Sequence, residues 1–322
     1  MPSLAPPYGV IKDKLYDGKV VPFLGAGASM RAACRVWELC LNNPLAATPP
    51  CYLPDKCEGF TPPKPKGGCL PKTNELACYL ARQANFPSGE SIDLAKAAQY
   101  YGEATGLNAL YDELHEIFDH DYPFNKVHQL LADVQANRLI VTTNYDDLIE
   151  RAFDAVDRPY DMVIHTTTPE MGDYLLWVPH GASTPEKVVP NKLDINLEET
   201  TVIYKMHGTV ARQSREYDQF VISEDDYINF LSRMVDSKVL PAMFAEPFLS
   251  LPFLFLGYSL RDWNLRVVLN HIDKSLRPLD KGRRSWAIQS PISELEKLFW
   301  DKKNINVYER TVEHFVEELL GS

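Results

Sequence analysis

The sequence lacks the marks of a membrane or secreted protein. It contains no run of about 18 apolar residues, the length that a membrane-spanning helix needs. Its first residues, MPSLAPPYGVIKDKLYDGK, have no apolar stretch behind a basic start, which argues against a secretory signal. We therefore expect a cytoplasmic protein with no membrane contact.

Positive charge is also scarce. The 322 residues include 33 lysines and arginines against 44 aspartates and glutamates, a formal net charge of −11. Proteins that hold bare DNA or RNA present a broad basic face, so we expect no direct nucleic-acid binding. The composition, 45% hydrophobic and 24% charged, is typical of a folded globular chain with a sizeable core.

Cysteine is confined to one part of the chain. All six cysteines lie between Cys34 and Cys78, at spacings too wide for the common zinc modules. With these spacings we expect no bound metal. Disulfides are rare in a reducing compartment, so we also expect no disulfide framework. Residues 44–73 are rich in proline, glycine and lysine, which predicts an irregular excursion.

Short apolar runs alternate with segments of helical periodicity. This pattern favours an α/β fold with a Rossmann-like parallel sheet of about six strands and helices on both faces. We predict a helical and irregular insertion at residues 31–124, so that residues 1–30 and 125–322 form the Rossmann-like domain. Residues 158–199 mix turn signals with short apolar runs that the pattern does not order. The six predicted strands are VVPFL, LIVTT, TVIYKM, FLFLG, SWAIQ and INVYER.

Four predicted strands end in polar or glycine clusters. Parallel sheets bind ligands at the carboxyl ends of their strands, so this coincidence indicates a site. Each cluster alone also has an ordinary structural explanation: a tight turn, a helix N-cap, a first-turn acid or a structural histidine. The clusters are GAGAS from Gly25, NYDD from Asn144, HGT from His207 and GYSLRD from Gly257.

The four clusters, in this order, resemble the motifs of the sirtuin superfamily. Its members carry a GAG turn, an Asn–hydrophobic–Asp motif, a catalytic histidine and a G-[TYS]-S turn. The segment PFNKVHQLLA is also similar to the helix that leads into the family's Asn motif. The longer form FLFLGYSLRDWNLR resembles more narrowly the sirtuin-like, NAD-cleaving proteins of bacterial antiphage defence.

The resemblance implies a role for each matching residue. Asn144 would position the nicotinamide ribose or the attacking water, and His207 would act as the general base. Asp146 would contact the nicotinamide amide or the ribose. The other matching positions would bind the rest of NAD: Gly25, Ala26, Gly27 and Ser29 the diphosphate, and Gly257, Ser259 and Asp262 the adenosine ribose and phosphates.

The activity that the resemblance implies is NAD+ hydrolysis to nicotinamide and ADP-ribose, used to deplete NAD+ in antiphage defence. NAD is then the substrate. The alternatives are an NAD-dependent protein deacylase and a non-catalytic module that senses NAD or ADP-ribose; cyclic ADP-ribose as the product also stays open. Deacylating sirtuins carry two CxxC pairs after the histidine and a Gln at the position of Thr143, and this chain has neither.

An ungated NAD+ hydrolase would poison its host, so we expect its activity to be controlled. The resemblance implies control by assembly into a homo-oligomer or by a partner such as an ATPase or an Argonaute-type protein. Residues 44–73 are a candidate for a lid over the cleft, because long irregular segments in compact domains are often functional.

Overall fold

The computed structural model describes residues 5–30, 70–87, 90–136, 138–167, 173–235, 240–258 and 284–322. Within these ranges, nine strands form one sheet and two more form a short hairpin. The sheet strands are β1 (Val21–Leu24), β2 (Leu139–Thr142), β3 (Asp161–His165), β4 (Leu175–Val178), β5 (Glu186–Val188), β6 (Val202–Lys205), β9 (Phe253–Leu256), β10 (Ser285–Gln289) and β11 (Ile305–Glu309); the hairpin is β7 (Gly208–Thr209) with β8 (Gln219–Phe220).

The sheet has the order β11-β10-β9-β1-β2-β6-β3-β4-β5. The seven strands from β11 to β3 run parallel, and β4 and β5 continue the sheet in antiparallel pairing. The predicted α/β class with a Rossmann-like, mostly parallel sheet is confirmed. The strand count of about six was too low, because β3, β4 and β5 all fall in the part of the chain that the sequence pattern left unordered.

Helices cover both faces of this sheet. One face is covered by the apolar side chains of α1 (Tyr8–Tyr16), α6 (Lys126–Asp133), α7 (Leu148–Asp154) and α11 (Val312–Gly321). The opposite face is covered mainly by α8 (Glu224–Val235), α9 (Ala245–Ser250) and α10 (Glu294–Lys302). No helix within the described ranges is both long and apolar enough to cross a membrane. The remaining helices of the described ranges are α2 (Ala26–Ser29), α3 (Thr73–Gln83), α4 (Leu94–Thr105) and α5 (Leu107–Phe118).

Burial on both faces explains why the central strands are continuously apolar. In β9, Phe253 and Phe255 pack in the cluster that contains Trp300 of α10. The alternate residues, Leu254 and Leu256, pack in the cluster under α1, α6, α7 and α11. Successive side chains of a strand point to opposite faces, so a strand covered on both sides needs apolar residues at every position.

The helices α3, α4 and α5 form a third core beside the sheet. Leu80, Ala97 and Leu114 are fully buried in it. The same cluster includes Tyr145, which follows β2, and Phe220 of the β7–β8 hairpin. Helices are therefore present in the segment 31–124 that was predicted to be helical and irregular, and they pack directly on the loops at the end of the sheet. The boundaries of an insertion subdomain stay a prediction.

Two backbone segments meet at glycines at the ends of β1 and β9. The Gly27 amide donates a 2.9 Å hydrogen bond to the Gly257 carbonyl oxygen. Gly257 has φ +65°, a left-handed conformation, and a Cβ built on it would lie 2.1 Å from the nitrogen of Ala28. A Cβ on Gly25 or Gly27 would also come within 3 Å of this segment. Only glycine allows this approach.

We predict that Gly257→Ala lowers the free energy of unfolding by about 2 kcal/mol or more, because the added methyl both clashes and strains φ. Urea denaturation measures this. Gly9→Ala is the matched control: Gly9 lies in α1 with nothing within 4 Å of an added Cβ. It should leave stability unchanged or raise it by up to about 1 kcal/mol. Equal stabilities for the two variants would contradict the prediction.

Candidate active site

The described parts of the four clusters lie at one edge of the sheet. Leu24 of β1 pairs with Leu256 of β9 on one side and with Thr142 of β2 on the other. Thr142 in turn pairs with Lys205 of β6. The strands are parallel neighbours, so their carboxyl ends are adjacent. The structure thus brings together the residues that follow them: Gly257, Gly25, Asn144 and His207.

Ser29, Asn144 and Asp146 form a buried hydrogen-bonded network across the ends of β1 and β2. The Asn144 side-chain amide donates to the Gly25 carbonyl oxygen at 3.2 Å and to the Ser29 hydroxyl at 3.0 Å. Ser29 donates to Asp146 Oδ2 at 2.9 Å. Asp146 Oδ1 accepts the Leu148 amide at 3.2 Å, at the start of α7. Asp146 rather than Asn144 thus accepts an amide at the start of α7, and the Asn144 side chain points into the network.

Tyr145, between Asn144 and Asp146, anchors the loop after β2 to the helices and the hairpin beside the sheet. Tyr145 packs edge-on against Phe118 of α5 and Phe220 of β8. Its hydroxyl donates to the Val221 carbonyl oxygen at 2.6 Å, and its own carbonyl oxygen accepts the Val210 amide at 3.0 Å. The loop after β2 is thereby attached to both the helical unit and the hairpin.

His207 is buried at the end of β6. Its ring packs edge-on against Tyr227 and Phe230 of α8, and 3% of its surface is exposed. Gly208, with φ +85°, lets the chain turn directly into the β7–β8 hairpin, because a Cβ there would lie 2.0 Å from the Gln219 carbonyl oxygen. The sequence HG thus places an imidazole at the sheet edge and turns the backbone away.

Other predicted positions differ in what the structure provides. The amide of Gly27 and the hydroxyl of Ser29 already donate to protein acceptors, so in this conformation neither is a ready donor for a diphosphate. Gly25, Ala26 and Gly257 form the turn and its contact segment. Ser259 and Asp262 lie outside the described residues. The role of each of these residues toward NAD stays a prediction.

The chain matches a known protein family. The family model described as SIR2-like domain matches residues 138–308, more than half of the chain. The chain belongs to the SIR2-like family. The match covers β2, β6 and β9 with the Asn144 and His207 motifs, in agreement with the sirtuin-like resemblance of the sequence.

Several curated proteins are similar to this SIR2-like chain. "NAD(+) hydrolase ThsA" of Enterococcus faecium is 28% identical over 305 residues, which cover 92% of this chain and 48% of that protein. The protein of the same name from Acinetobacter baumannii is 29% identical over 200 residues, 62% of this chain and 35% of that protein. "Defense-associated sirtuin 2" of Bacillus subtilis is 24% identical over 302 residues, 92% and 24%. This chain spans between a quarter and a half of the length of these relatives.

The SIR2-like site contains a buried ion pair that the sequence analysis missed. Lys205, the last residue of β6, is fully buried, and its Nζ lies 3.0 Å from Oε1 of Glu150 in α7. The same Nζ donates to the main-chain oxygen of Asp146. The one signal in the sequence was a lysine in an otherwise apolar strand, VIYKM, next to the His207 motif.

The sequence analysis also missed the roles of Asn125 and His128, which connect the start of α6 to the GAGAS turn. The Asn125 side chain donates to the Ala28 carbonyl oxygen at 2.6 Å and accepts the Val127 amide at 3.1 Å, which caps α6. His128 Nδ1 accepts the Asn125 amide at 3.2 Å and completes a capping box. The segment PFNKVHQLLA therefore supports the GAGAS turn.

Burial shifts the protonation of several groups near the site. It raises the pKa of Asp146, and the neighbouring Lys205 ammonium and the Ser29 hydrogen bond oppose this rise. Burial lowers the pKa of His128 to about 3, with Lys205 adding to the effect. Burial also places the pKa of His165, at the end of β3, well below 6.5. Both histidines are neutral at neutral pH.

Metal ligands are not grouped in the part of the chain that the structure describes. No three His, Cys, Asp or Glu side chains there form a set that could hold an ion. Five cysteines, Cys34, Cys40, Cys51, Cys57 and Cys69, lie outside the described residues. The expectation of no bound metal therefore stays a prediction.

The buried His128 predicts a pH-dependent stability. The folded-state pKa is depressed, so the unfolded chain binds the extra proton once the pH falls below about 6.5. The stability that His128 contributes is full above that pH and falls as the pH decreases toward about 3. His128→Gln keeps a capping-box side chain without the titration. Between pH 7.5 and pH 5 we expect wild type to lose about 1–2 kcal/mol more than this variant.

Urea unfolding at the two pH values measures this difference. His314→Gln is the matched control, because His314 is exposed on α11; its pH dependence should follow that of wild type. Parallel pH dependences of wild type and His128→Gln would contradict a neutral buried His128.

Proposed function

We propose that this chain cleaves the nicotinamide–ribose bond of NAD+ and releases nicotinamide and ADP-ribose. The observation that carries the proposal is the Ser29–Asn144–Asp146 network beside His207, at the carboxyl ends of adjacent parallel strands. This set matches the sirtuin-type motifs residue by residue. Support also comes from relatives named as NAD(+) hydrolases, one of which is 28% identical over 92% of this chain.

Nicotinamide is already a good leaving group, so the site has only to hold the ribose and the attacking water and to accept a proton. Nicotinamide departs from the ribose C1′ with the bonding electron pair, and positive charge develops on the sugar. Asn144 and Asp146 hold the ribose and the attacking water in place. Water oxygen bonds to C1′, and the proton it loses passes to His207 as general base. We assign binding of the diphosphate to the turn at Gly25 and Ala26, and binding of the adenosine ribose and phosphates to Gly257, Ser259 and Asp262.

We propose hydrolysis rather than deacylation for two reasons. Deacylating sirtuins carry paired CxxC motifs beyond the histidine, whereas no cysteine follows Cys78 here. The Tyr227 and Phe230 rings also close on His207 from α8. A non-catalytic sensor of NAD would need neither Asn144 nor His207 in this arrangement.

The biological role that we propose is an effector of antiphage defence that depletes NAD+ when activated. Relatives named as a defence-associated sirtuin and as NAD(+) hydrolases support it. Its activity is gated by homo-oligomer assembly or by a partner such as an ATPase or an Argonaute-type protein. The protein acts in the cytoplasm, where NAD+ is available.

We predict that Asn144→Ala and His207→Ala each lower the rate of NAD+ cleavage at least about a hundredfold, because each removes a group that acts at the reacting carbon or water. The measurement is mass analysis of NAD+, nicotinamide, ADP-ribose and cyclic ADP-ribose after incubation with the purified protein, with and without its genomic neighbours. Circular dichroism checks that both variants fold.

The matched controls replace exposed residues of the same types. Asn191 and His180 are both exposed and belong to none of the sirtuin-type motifs, so Asn191→Ala and His180→Ala should keep the wild-type rate. Near-normal turnover in folded Asn144→Ala and His207→Ala would refute the assignment of these residues. Absence of any NAD+ loss in every condition would refute the hydrolase itself.

A further inference from the structure

Lys205 places an ammonium group in the interior of the protein. Its side chain is fully buried at the end of β6, and its neighbours in the sheet register are Thr142 and Ile164. Removing an ammonium group from water is costly, and an apolar side chain of similar volume would pack there without that cost. A fully buried lysine at this place therefore needs a reason beyond packing.

The contacts of Lys205 supply that reason. Its ammonium lies 3.0 Å from the Glu150 carboxylate and donates to the main-chain oxygen of Asp146. The Asp146 side chain, on the same residue, accepts hydrogen bonds from Ser29 and from the Leu148 amide. The backbone of the loop is thus held by Lys205, and its side chains are held by the network at the end of β1.

We propose that Lys205, held in place by Glu150, is a positioning residue for NAD+ cleavage: it fixes the backbone of the Asn144–Asp146 loop and thereby orients both side chains toward the ribose. This inference rests on the proposed function. Lys205 does not reach the substrate, because its side chain is fully buried and engaged. Its positive charge also favours the ionised form of Asp146, against the effect of burial.

The test separates positioning from stability with a charge-free pair. Lys205→Met alone leaves the Glu150 carboxylate buried without its cation, and we expect the melting temperature to fall by at least about 5 °C. Lys205→Met/Glu150→Met replaces both charges by apolar side chains of similar size. We expect this double variant to recover the melting temperature, because a buried pair can be replaced by apolar residues at little cost.

Catalysis should not recover with stability. In the double variant we expect kcat at least about tenfold below wild type, with KM within about threefold, because a loosened loop misplaces Asn144 and Asp146. Amide hydrogen exchange of the peptide covering residues 142–148 should also be faster than in wild type. Wild-type kcat, with wild-type exchange, in a stable double variant would overturn the proposal.

Arg138→Met is the matched control. Arg138 is 3% exposed and donates to the Leu15 and Ala136 carbonyl oxygens at the start of β2, the opposite end of the strand. It should lower the melting temperature and leave kcat per folded molecule and exchange of residues 142–148 unchanged. An equal loss of kcat in this variant would mean that any buried cation matters equally, and would overturn a specific role of Lys205.

Two further measurements keep the outcome decisive. If the double variant does not fold, Glu150→Gln preserves shape while removing the charge; we expect kcat to fall at least about threefold, and unchanged kcat and exchange would overturn the proposal. If wild type cleaves no NAD+ in any condition, the proposed function fails. Exchange of residues 142–148 then still tests whether Lys205 holds the loop.

Discussion

The contact between the GAGAS turn and the backbone at Gly257 is the constraint on which the site depends. It holds the end of β1 against the end of β9 without any side chain between them. Ser29, at the end of the same turn, then forms hydrogen bonds with Asn144 and Asp146 in the loop after β2. The site is therefore built outward from a backbone contact. A contact of this kind adapts poorly to substitution, because close-packed atoms have no room to yield.

The polar side chains of the candidate site are almost fully excluded from water. Asn144, Asp146, Lys205 and His207 are each at most 8% exposed. Burying such groups is unfavourable unless they satisfy one another. For Asn144, Asp146 and Lys205, the contacts with Ser29, Glu150 and the main chain do so, and these contacts hold the loop after β2 in one arrangement. Pre-organised polar groups of this type are what holding a ribose for cleavage requires.

The sequence predicted the fold class and the edge of the sheet at which the polar and glycine clusters meet, because both depend on local signals. Apolar runs such as FLFLG mark strands buried on both faces, and the polar or glycine clusters after them mark the carboxyl ends of parallel strands. The sequence did not predict β3, β4 and β5. The strand β5 (EKV) has almost no apolar pattern, and the antiparallel pairing of β4 and β5 at the lateral edge of the sheet has no local signal in the sequence. The Lys205–Glu150 pair joins residues 55 positions apart, a contact that only the folded chain reveals. His128 reads as one more polar position of an amphipathic helix until its full burial is known.

The alternation of side chains around Tyr145 couples two parts of the molecule that look separable. Asn144 and Asp146 serve the site, while the ring between them belongs to the core under α3, α4 and α5. The helical unit therefore does not behave as an exchangeable module. A graft of this unit from a relative would have to bring a matching cavity for one tyrosine ring, or the recipient would fold with its reactive loop displaced. A substitution in these helices that changes the space around the Tyr145 ring should therefore also displace Asn144 and Asp146.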